Sequence, residues 1–321
     1  DWGIPVPLAG GEGKVIYVWF DAPIGYISAT KEWAVAQGAP GKWKEFWCNP
    51  DCRLVHFIGK DNIVFHSILW PAMLMGAGGY NLPTDIPANE FLNLNGQKLS
   101  TSRGYAIWVH EFLEKFSPDS LRYYMAVIAP ETKDSDFVLG EFQAVYNGEL
   151  ADVLGNFVNR VITFVHRYFE GRIPAAGEND LEAAALWQSV TTARDGMGEA
   201  FAAFEVRRAA GLFMNIARAG NKYFNDQAPW KSRKEDPARC AAALHTCLRV
   251  IKGLSVVAGP FIPAGAEKIR ALFQWRGPMA WEAFDEPLLV GEPLGQSGVL
   301  FAKIEDAAIE AEQEKLKRLA Q

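Results

Sequence analysis

The stretch that decides the fold reads Glu90-Phe91-Leu92-Asn93-Leu94-Asn95-Gly96-Gln97-Lys98-Leu99-Ser100-Thr101-Ser102-Arg103-Gly104. Its first five residues have the composition of a strand, and the next ten are mostly small, hydroxylic or cationic, which favours a loop. Lys98 and Arg103 flank Ser100, Thr101 and Ser102, and this set could hold a phosphate chain through charge and hydroxyl donors. A polar surface turn is the alternative, and these ten residues alone favour it.

Two more apolar runs precede this stretch, at residues 15–20 and 53–58. Each is followed by a helical pattern, over residues 24–36 and 62–76. Nearly continuous apolar and β-branched residues indicate strands that are buried on both faces. Strands that alternate with helices predict a parallel α/β sheet, and ligands bind such sheets outside the carboxyl ends of the strands.

Beyond residue 117 the pattern becomes helical. Ser117 is placed to cap a helix that runs to about residue 129, and residues 131–137 form a polar connector. From Phe142 onwards apolar residues recur at steps of three and four, which predicts one long amphipathic helix. Further helices are predicted over residues 181–203, 205–225, 237–258 and 264–273, with a solvated, charged helix over 303–319. The sequence therefore predicts an α/β domain over residues 1–130 and a helix bundle over 131–321.

Composition narrows the class of protein. The chain of 321 residues is 49% hydrophobic and 22% charged, as in a globular protein of two domains. Its net charge of −6 argues against a protein that coats polyanions, although a local basic face is compatible with it. Four cysteines, of which only Cys48 and Cys52 form a close pair, predict reduced thiols and no metal site. No apolar run for a membrane span and no signal pattern are seen, so a cytoplasmic protein without a membrane partner is expected.

Gly59-Lys60-Asp61 follows the second predicted strand and precedes a helical pattern. Gly59 allows the backbone to approach a ligand closely, and Asp61 could accept hydrogen bonds from ribose hydroxyl groups. In the alternative interpretation Asp61 caps the helix and Gly59 forms an ordinary turn. The pattern by itself leaves both interpretations open.

Aromatic residues gather around the first two predicted helices. They are Trp19, Pro23 and Tyr26 at the first strand–helix junction, and Phe65, His66 and Trp70 on the next helix. Such a set could form a pocket for an apolar side chain, with His66 or Tyr26 as its polar group. Core packing is the alternative, because aromatic residues at helical spacing commonly serve the core.

Two groups in the helical part could contact nucleic acid. Trp230 lies at a helix end near Lys231 and Arg233, which suits stacking of an unpaired base beside phosphate contacts. Asn156 and Arg160 lie four residues apart on one helix face and could present hydrogen-bond donors to a base. The alternatives are a tryptophan that plugs the base of the bundle and polar residues that only face solvent.

Taken together, these residues resemble the methionyl-tRNA synthetases, a family of class I aminoacyl-tRNA ligases. The matching features follow the family's order along almost the whole chain. They are Tyr17-Val18-Trp19-Phe20-Asp21-Ala22-Pro23-Ile24-Gly25-Tyr26, His56-Phe57-Ile58-Gly59-Lys60-Asp61, Phe65-His66-Ser67 with Trp70-Pro71-Ala72, the run from Asn95 to Gly104, Asp119-Ser120-Leu121-Arg122-Tyr123-Tyr124, Leu154-Gly155-Asn156-Phe157-Val158-Asn159-Arg160, and Asn221-Lys222-Tyr223-Phe224 with Pro229-Trp230. The resemblance implies a partial Rossmann-like parallel sheet, the C-terminal half of a class I catalytic domain, followed by an α-helix-bundle anticodon-binding domain.

The resemblance also implies a reaction and its residues. ATP with Mg²⁺ would activate methionine to methionyl-adenylate with release of pyrophosphate, and the methionyl group would pass to tRNA-Met; placement and charge stabilisation supply most of the catalysis in such a step. Residues 95–104 would be the family's lysine-serine loop, with catalytic Lys98, Ser100, Thr101 and Ser102. ATP would contact Gly59, Asp61, Leu92 and Lys98. Methionine would contact Trp19, Pro23, Tyr26, Phe65, His66 and Trp70, and the anticodon would contact Asn156, Arg160 and Trp230.

This chain departs from the family pattern at two points, and each departure leads to an expectation. The family's second loop lysine is Thr101 here, and a hydroxyl group cannot replace the charge of an ammonium group. The family's paired histidines and its zinc-bearing insertion would precede residue 1, so the chain is expected to be the C-terminal part of the enzyme, with no zinc site and with weak or no methionine activation on its own. The alternative is a non-catalytic tRNA-binding module derived from such a synthetase, which methionine or ATP binding would distinguish.

Overall fold

The computed structural model describes residues 3–100, 104–177, 180–277, 280–296 and 298–319. The chain separates into two compact units. The first comprises Asp1–Phe91 and Glu131–Lys133, and the second comprises Leu92–Pro130 and Asp134–Gln321. The domain boundary between residues 130 and 131 stays a prediction.

The first unit joins short helices to one pair of strands. Its elements are α1 (Val18–Asp21), α2 (Ile24–Ala36), α3 (Lys44–Trp47), β1 (Ile58–Gly59), a 3₁₀ turn (Lys60–Asn62), a π-helical turn (Phe65–Leu69), α4 (Trp70–Ala77) and β2 (Ala88–Asn89). β1 and β2 pair in parallel, as predicted for an α/β sheet. A helix follows the C-terminal end of β1, which places Gly59 and Asp61 at the edge of the sheet where ligands bind.

The strand predicted over residues 15–20 is wrong, because Val18–Asp21 forms the helical turn α1. Only the start of the run pairs its backbone with another described segment, where Val15 bridges Pro5 and Ile16 N–H donates to Ile4 O at 2.8 Å. Since the following residues lack a strand to pair with in the described chain, they satisfy their backbone groups locally, as in the 3.0 Å bond from Ala22 N–H to Val18 O. The predicted burial on both faces therefore does not occur.

The second unit contains a three-stranded sheet of order β4-β3-β5, formed by β3 (Leu92–Leu94), β4 (Gln97–Lys98) and β5 (Ser135–Phe137). β3 pairs in parallel with β5 and antiparallel with β4. Asn95 and Gly96, with φ of 48° and 73°, form the two-residue turn that matches the twist of a β-hairpin. The predicted loop over 95–104 thus begins as a hairpin, and the polar connector over 131–137 ends in a strand, because each backbone finds β3 as its partner.

Helices make up the rest of the second unit. They are α5 (Val109–Leu113), α6 (Pro118–Val127), α7 (Leu139–Val145), a π-helical segment (Tyr146–Gly155), α8 (Asn156–Tyr168), α9 (Leu181–Ala202), α10 (Val206–Gln227), α11 (Pro229–Glu235), α12 (Pro237–Val257), α13 (Pro263–Leu272), a 3₁₀ turn (Trp281–Asp285) and α14 (Asp306–Leu319). Ser117 caps α6 as predicted, since its Oγ accepts the N–H of Ser120 at 3.2 Å. The predicted fold class, a partial parallel sheet followed by a helix bundle, is confirmed.

The C-terminal helix differs from its prediction in one respect. α14 was expected to be solvated, but Ile309 and Leu316 are buried in the apolar cluster that also contains Leu94 of β3. Glu312 is buried too and pairs with Lys115, while Lys315 pairs with Glu111. One face of this charged helix is therefore part of the core.

α12 forms the centre of the helical core. Fourteen of its residues are buried, including both Cys240 and Cys247, whose thiols are free. The sequence showed no membrane span, yet α12 is long and apolar enough for one, and 78% of its apolar window is buried inside the protein. This burial identifies α12 as a core helix.

The contact between α10 and α8 depends on Gly220. A Cβ atom at this position would lie 2.6 Å from Cζ of buried Phe157 and 3.2 Å from Cγ1 of Val250. We therefore expect Gly220→Ala to lower the free energy of unfolding by about 1–3 kcal/mol. On the same helix, Gly211 has nothing within 4 Å of its Cβ position, and Gly211→Ala should be neutral or stabilise by up to about 1 kcal/mol. Urea unfolding of both variants measures the difference, and equal midpoints would contradict this packing.

Candidate functional site

The first unit brings a tyrosine and a histidine of the predicted pocket into direct contact. Tyr26 Oη lies 3.0 Å from His66 Nε2, and His66 Nδ1 lies 3.1 Å from the carbonyl oxygen of Asn62. A carbonyl can only accept, so in the neutral ring Nδ1 carries the proton and Nε2 accepts from the tyrosine hydroxyl. The backbone of the helix thereby fixes both the histidine tautomer and the direction in which the hydroxyl group points.

The other predicted pocket residues differ in their exposure to solvent. Trp19 is 38% exposed and its ring centroid lies 5.6 Å from that of half-buried Phe65, so these rings border solvent. Pro23 is buried. Trp70 is only 2% exposed and stands edge-on to Trp47 at 6.2 Å in a small apolar core. Core packing is thus part of the role of Trp70, whereas Trp19 and Phe65 are accessible to a ligand.

His56 joins this cluster, although no role was predicted for it. Its ring centroid lies 5.4 Å from that of Tyr26 and 5.7 Å from that of His66. Its Nε2 atom and Nε1 of Trp70 are buried and make no hydrogen bond to any described residue. Burial, and then the charge of His66, lowers the pKa of His56. The sequence contained one sign of this role, because His56 is a polar residue inside an otherwise apolar run.

Gly59 and Asp61 are placed as a close pair. A Cβ atom on Gly59 would lie 2.8 Å from Oδ1 of Asp61, so a larger residue there would displace the carboxylate from its present position. Asp61 is exposed and lies within the 3₁₀ turn Lys60–Asn62, whose N-cap position is Gly59. The alternative interpretation of Asp61 as a helix cap is therefore wrong. Its carboxylate is directed by this turn and remains accessible.

The lysine-serine loop starts from a supported hairpin in the second unit. Lys98 is exposed at the end of β4, Leu92 begins β3, and Ser100 N–H donates to Tyr105 O at 3.0 Å. The turn is held by Asp136, whose Oδ2 accepts the N–H of Gly96 at 2.6 Å. The predicted catalytic residues Thr101 and Ser102 lie outside the described residues.

Two of the three predicted anticodon residues, Arg160 and Trp230, lie together where three helices meet. Arg160 of α8 donates to Oδ1 of Asn221 at 3.3 Å and of Asn225 at 2.8 Å, both on α10. Its guanidinium lies 4.7 Å from the ring centroid of Phe224 and 5.9 Å from that of Trp230. Two asparagines and two rings therefore fix a cation that the sequence alone left as a solvent-facing residue.

Trp230 and Asn156 present surfaces on either side of this cation. Trp230, at the start of α11, is 44% exposed, so it does not plug the bundle. Asn156 is exposed one turn before Arg160 on α8. The asparagines that orient Arg160 were not predicted as site residues. The sequence contained a sign of this role, because the spacing of Asn221 and Asn225 places two amides on one helix face.

No group of three or more His, Cys, Asp or Glu residues able to hold a metal ion occurs in the described ranges, which omit residues 1–2, 101–103, 178–179, 278–279, 297 and 320–321. Cys48 and Cys52 are half-buried free thiols.

Two protein-family models together match most of this chain. A family model described as tRNA synthetases class I (M) matches residues 1–162. The chain therefore belongs to the class I tRNA synthetases of this methionine group. A second model, the anticodon binding domain of methionyl tRNA ligase, matches residues 173–320.

Relatives of known name agree with this family. The methionine–tRNA ligase of Salinibacter ruber is 47% identical over 98% of this chain and 48% of its own length, and that of Bacteroides fragilis is 48% identical over 98% and 46%. The chain thus spans about half the length of these curated relatives. A crystal structure of Mycobacterium tuberculosis methionyl-tRNA synthetase bound by methionyl-adenylate is 28% identical, with a TM-score of 0.81 over 94% of this chain and 58% of that one.

The lowered pKa of His56 predicts a pH-dependent stability. As the pH falls below 6.5, the unfolded chain binds a proton at this residue before the folded chain does, so the free energy of unfolding decreases. We expect this component, at most about 1.4 kcal/mol per pH unit, to be absent in His56→Gln.

Denaturant unfolding measured across this pH range compares the wild type with the variant. His110→Gln is the matched control, because the His110 side chain is 75% exposed. A His56→Gln slope identical to that of the wild type would contradict the burial of a neutral imidazole at this position.

Proposed function

We propose that this chain is the part of a methionine–tRNA ligase that holds the methionine pocket, the lysine-serine loop and the anticodon-binding bundle. In this reaction the methionine carboxylate attacks the α-phosphate of ATP, giving methionyl-adenylate and pyrophosphate. The methionyl group then passes to the 3′ end of tRNA-Met. Mg²⁺ enters with ATP as part of that substrate. Membership of the class I (M) family and the names of the curated relatives support this assignment.

The pair formed by Tyr26 and His66 is the observation that carries the proposal for methionine. Exposed Trp19 and half-buried Phe65 offer apolar ring faces, and aromatic rings contact thioether sulfur favourably. Beside them, the Tyr26 hydroxyl is oriented by His66 and is the polar group of an otherwise apolar pocket. One fixed polar group within an aromatic lining is the usual construction of a selective small-molecule site.

We propose that Gly59, Asp61, Leu92 and Lys98 contact ATP, because the family assignment implies these roles. In the first unit, exposed Asp61 would accept hydrogen bonds from the ribose, and Gly59 allows close approach of the backbone. In the second unit, Leu92 would line the nucleotide and Lys98 with Ser100 would contact the triphosphate. Lys98 is the loop's described cation at the end of the hairpin, and its charge suits the phosphate oxygens.

The bundle is proposed to bind the anticodon of tRNA-Met. Trp230 offers an exposed indole face to an unpaired base, and Arg160 lies against the same ring with its guanidinium already oriented. Asn156, on the same face of α8, adds an amide for a base edge. Preorganisation of Arg160 by its two asparagine partners reduces the entropy lost on binding.

Methionine binding tests the pocket. Tyr26→Phe removes the oriented hydroxyl and leaves His66 Nε2 without its donor, so methionine affinity should fall about five- to tenfold. Tyr80→Phe is the control, because Tyr80 contributes a ring contact to Trp43 and lies outside the pocket. Titration calorimetry with methionine and with leucine measures affinity and selectivity. Loss of tRNA-independent methionine binding in both variants, or in neither, would contradict the role of Tyr26.

Binding of tRNA tests the bundle independently. Trp230→Ala removes a stacking platform worth about 1–3 kcal/mol per base, so affinity for methionine tRNA should fall about tenfold or more. Trp33→Ala is the control, because Trp33 is a comparably exposed tryptophan of the first unit. Filter binding at fixed salt concentration compares methionine tRNA with another elongator tRNA. Equal affinities of the two variants would contradict the proposed anticodon surface.

A further inference from the structure

A layered stack of four side chains lies in the helical unit away from the residues assigned above. Trp187 of α9 and Phe284 of the 3₁₀ turn have ring centroids 5.5 Å apart. Arg249 of α12 lies 3.6 Å from the Trp187 ring centroid, and Arg194 of α9 lies 5.0 Å from that of Phe284. Each aromatic ring is therefore in contact with one guanidinium group, and the partners of the two arginines can be compared.

The two arginines differ in their partners. Arg194 donates to Asp195 at 2.8 Å and pairs with Asp285 as well. Arg249 makes no hydrogen bond to any described residue, and its Nε atom is buried. Burial acts against the charge of both, but the two carboxylates outweigh it and raise the pKa of Arg194, whereas burial lowers the pKa of Arg249. Arg249 is half-buried: its Nε–H is enclosed without an acceptor, while the rest of the guanidinium is open to a ligand that supplies one.

A cavity of about 740 Å³ adjoins Arg249. Its wall includes Trp187, Thr246 and His245, whose Nδ1 donates to the carbonyl of Pro174 at 2.9 Å. That bond leaves the other ring nitrogen of neutral His245 as an acceptor. The cavity is large enough for an organic ligand and combines a cation, an aromatic face and an acceptor.

Two carboxylates on the same wall restrict the charge of a ligand. Asp195 pairs with Arg194, and Asp180 accepts the N–H of Ala183 at 2.9 Å as the cap of α9. A ligand in the cavity meets these carboxylates as well as the guanidinium, so one negative charge on it is repelled less than two. The wall therefore favours an oxyanion group of single charge over a doubly charged one.

We propose that this cavity binds an organic monoanion, a carboxylate or a phosphodiester, through the guanidinium of Arg249. The planar fork of an arginine matches two oxygens of either group, which a lysine would not. Trp187 holds the fork in place by stacking, so little side-chain freedom is lost on binding. The two ligand sources share the same oxyanion chemistry and differ in where the anion comes from: free carboxylates in one case and a nucleic-acid backbone in the other.

The test uses the 321-residue chain and follows the indole N–H resonance of Trp187 by NMR. Titrations with acetate and with dimethyl phosphate should each give a saturable shift in the millimolar range, as expected for one partly exposed charged pair. Inorganic phosphate, mostly dianionic above its second pKa, should bind more weakly than dimethyl phosphate. A response to dimethyl phosphate alone identifies the phosphodiester source, and a response to acetate alone identifies the carboxylate source.

Variants locate the effect at Arg249. Arg249→Gln should weaken binding at least about fivefold, and Arg249→Lys should do the same because it keeps the charge but loses the fork. Arg318→Gln, an exposed arginine of α14, is the matched control and should bind as the wild type does. If the Arg249 variants fail to fold, the stabilisation of wild-type protein by each probe, compared with sodium chloride at equal ionic strength, gives the answer. No saturable shift, or the same shift with chloride, would overturn the proposal.

Discussion

The close approach of α8 and α10 at Gly220 is the constraint on which the surface proposed to contact the anticodon depends. The missing side chain lets Phe157 lie against α10, which brings two amides of that helix within hydrogen-bond distance of Arg160. Arg218, on the same face of α10, pairs with Glu149 in the π-helical segment that leads into α8. Packing and polar contacts therefore set the position of α8 together, and α8 carries the residues proposed to contact the anticodon.

Buried polar atoms without protein partners are concentrated where ligands are proposed. The five in the described chain belong to His56, Trp70, Asp136, Arg233 and Arg249. Those of His56 and Trp70 lie in the aromatic cluster proposed to bind methionine, and that of Arg249 borders the second cavity. Asp136 supports the hairpin turn, and Arg233 lies against the ring of Tyr168. Unpaired buried polar atoms destabilise a folded protein, and three of these five border places where we propose that ligands bind.

The charge of the whole chain says little about these sites. A net charge of −6 coexists with a guanidinium oriented beside an exposed tryptophan and with an exposed lysine at the end of β4. The local arrangement of charges decides the potential at each site, because screening limits each charge to its near neighbours. Some acidic residues elsewhere pair with lysines, as Glu312 does with Lys115 and Glu111 with Lys315.

The sequence by itself determined the long helices of the second unit and the capped start of α6. Ser117 caps α6 because its side chain accepts the N–H group three residues ahead, a signal carried within one turn. The motifs also supplied the pocket aromatics and the anticodon residues, whose roles stay predictions. Only the tertiary structure decided that residues 15–20 are not a strand, that His56 joins the pocket, and that Arg160 is held by α10. A strand needs a partner and a side-chain cluster needs neighbours distant in sequence, and neither is encoded in local periodicity.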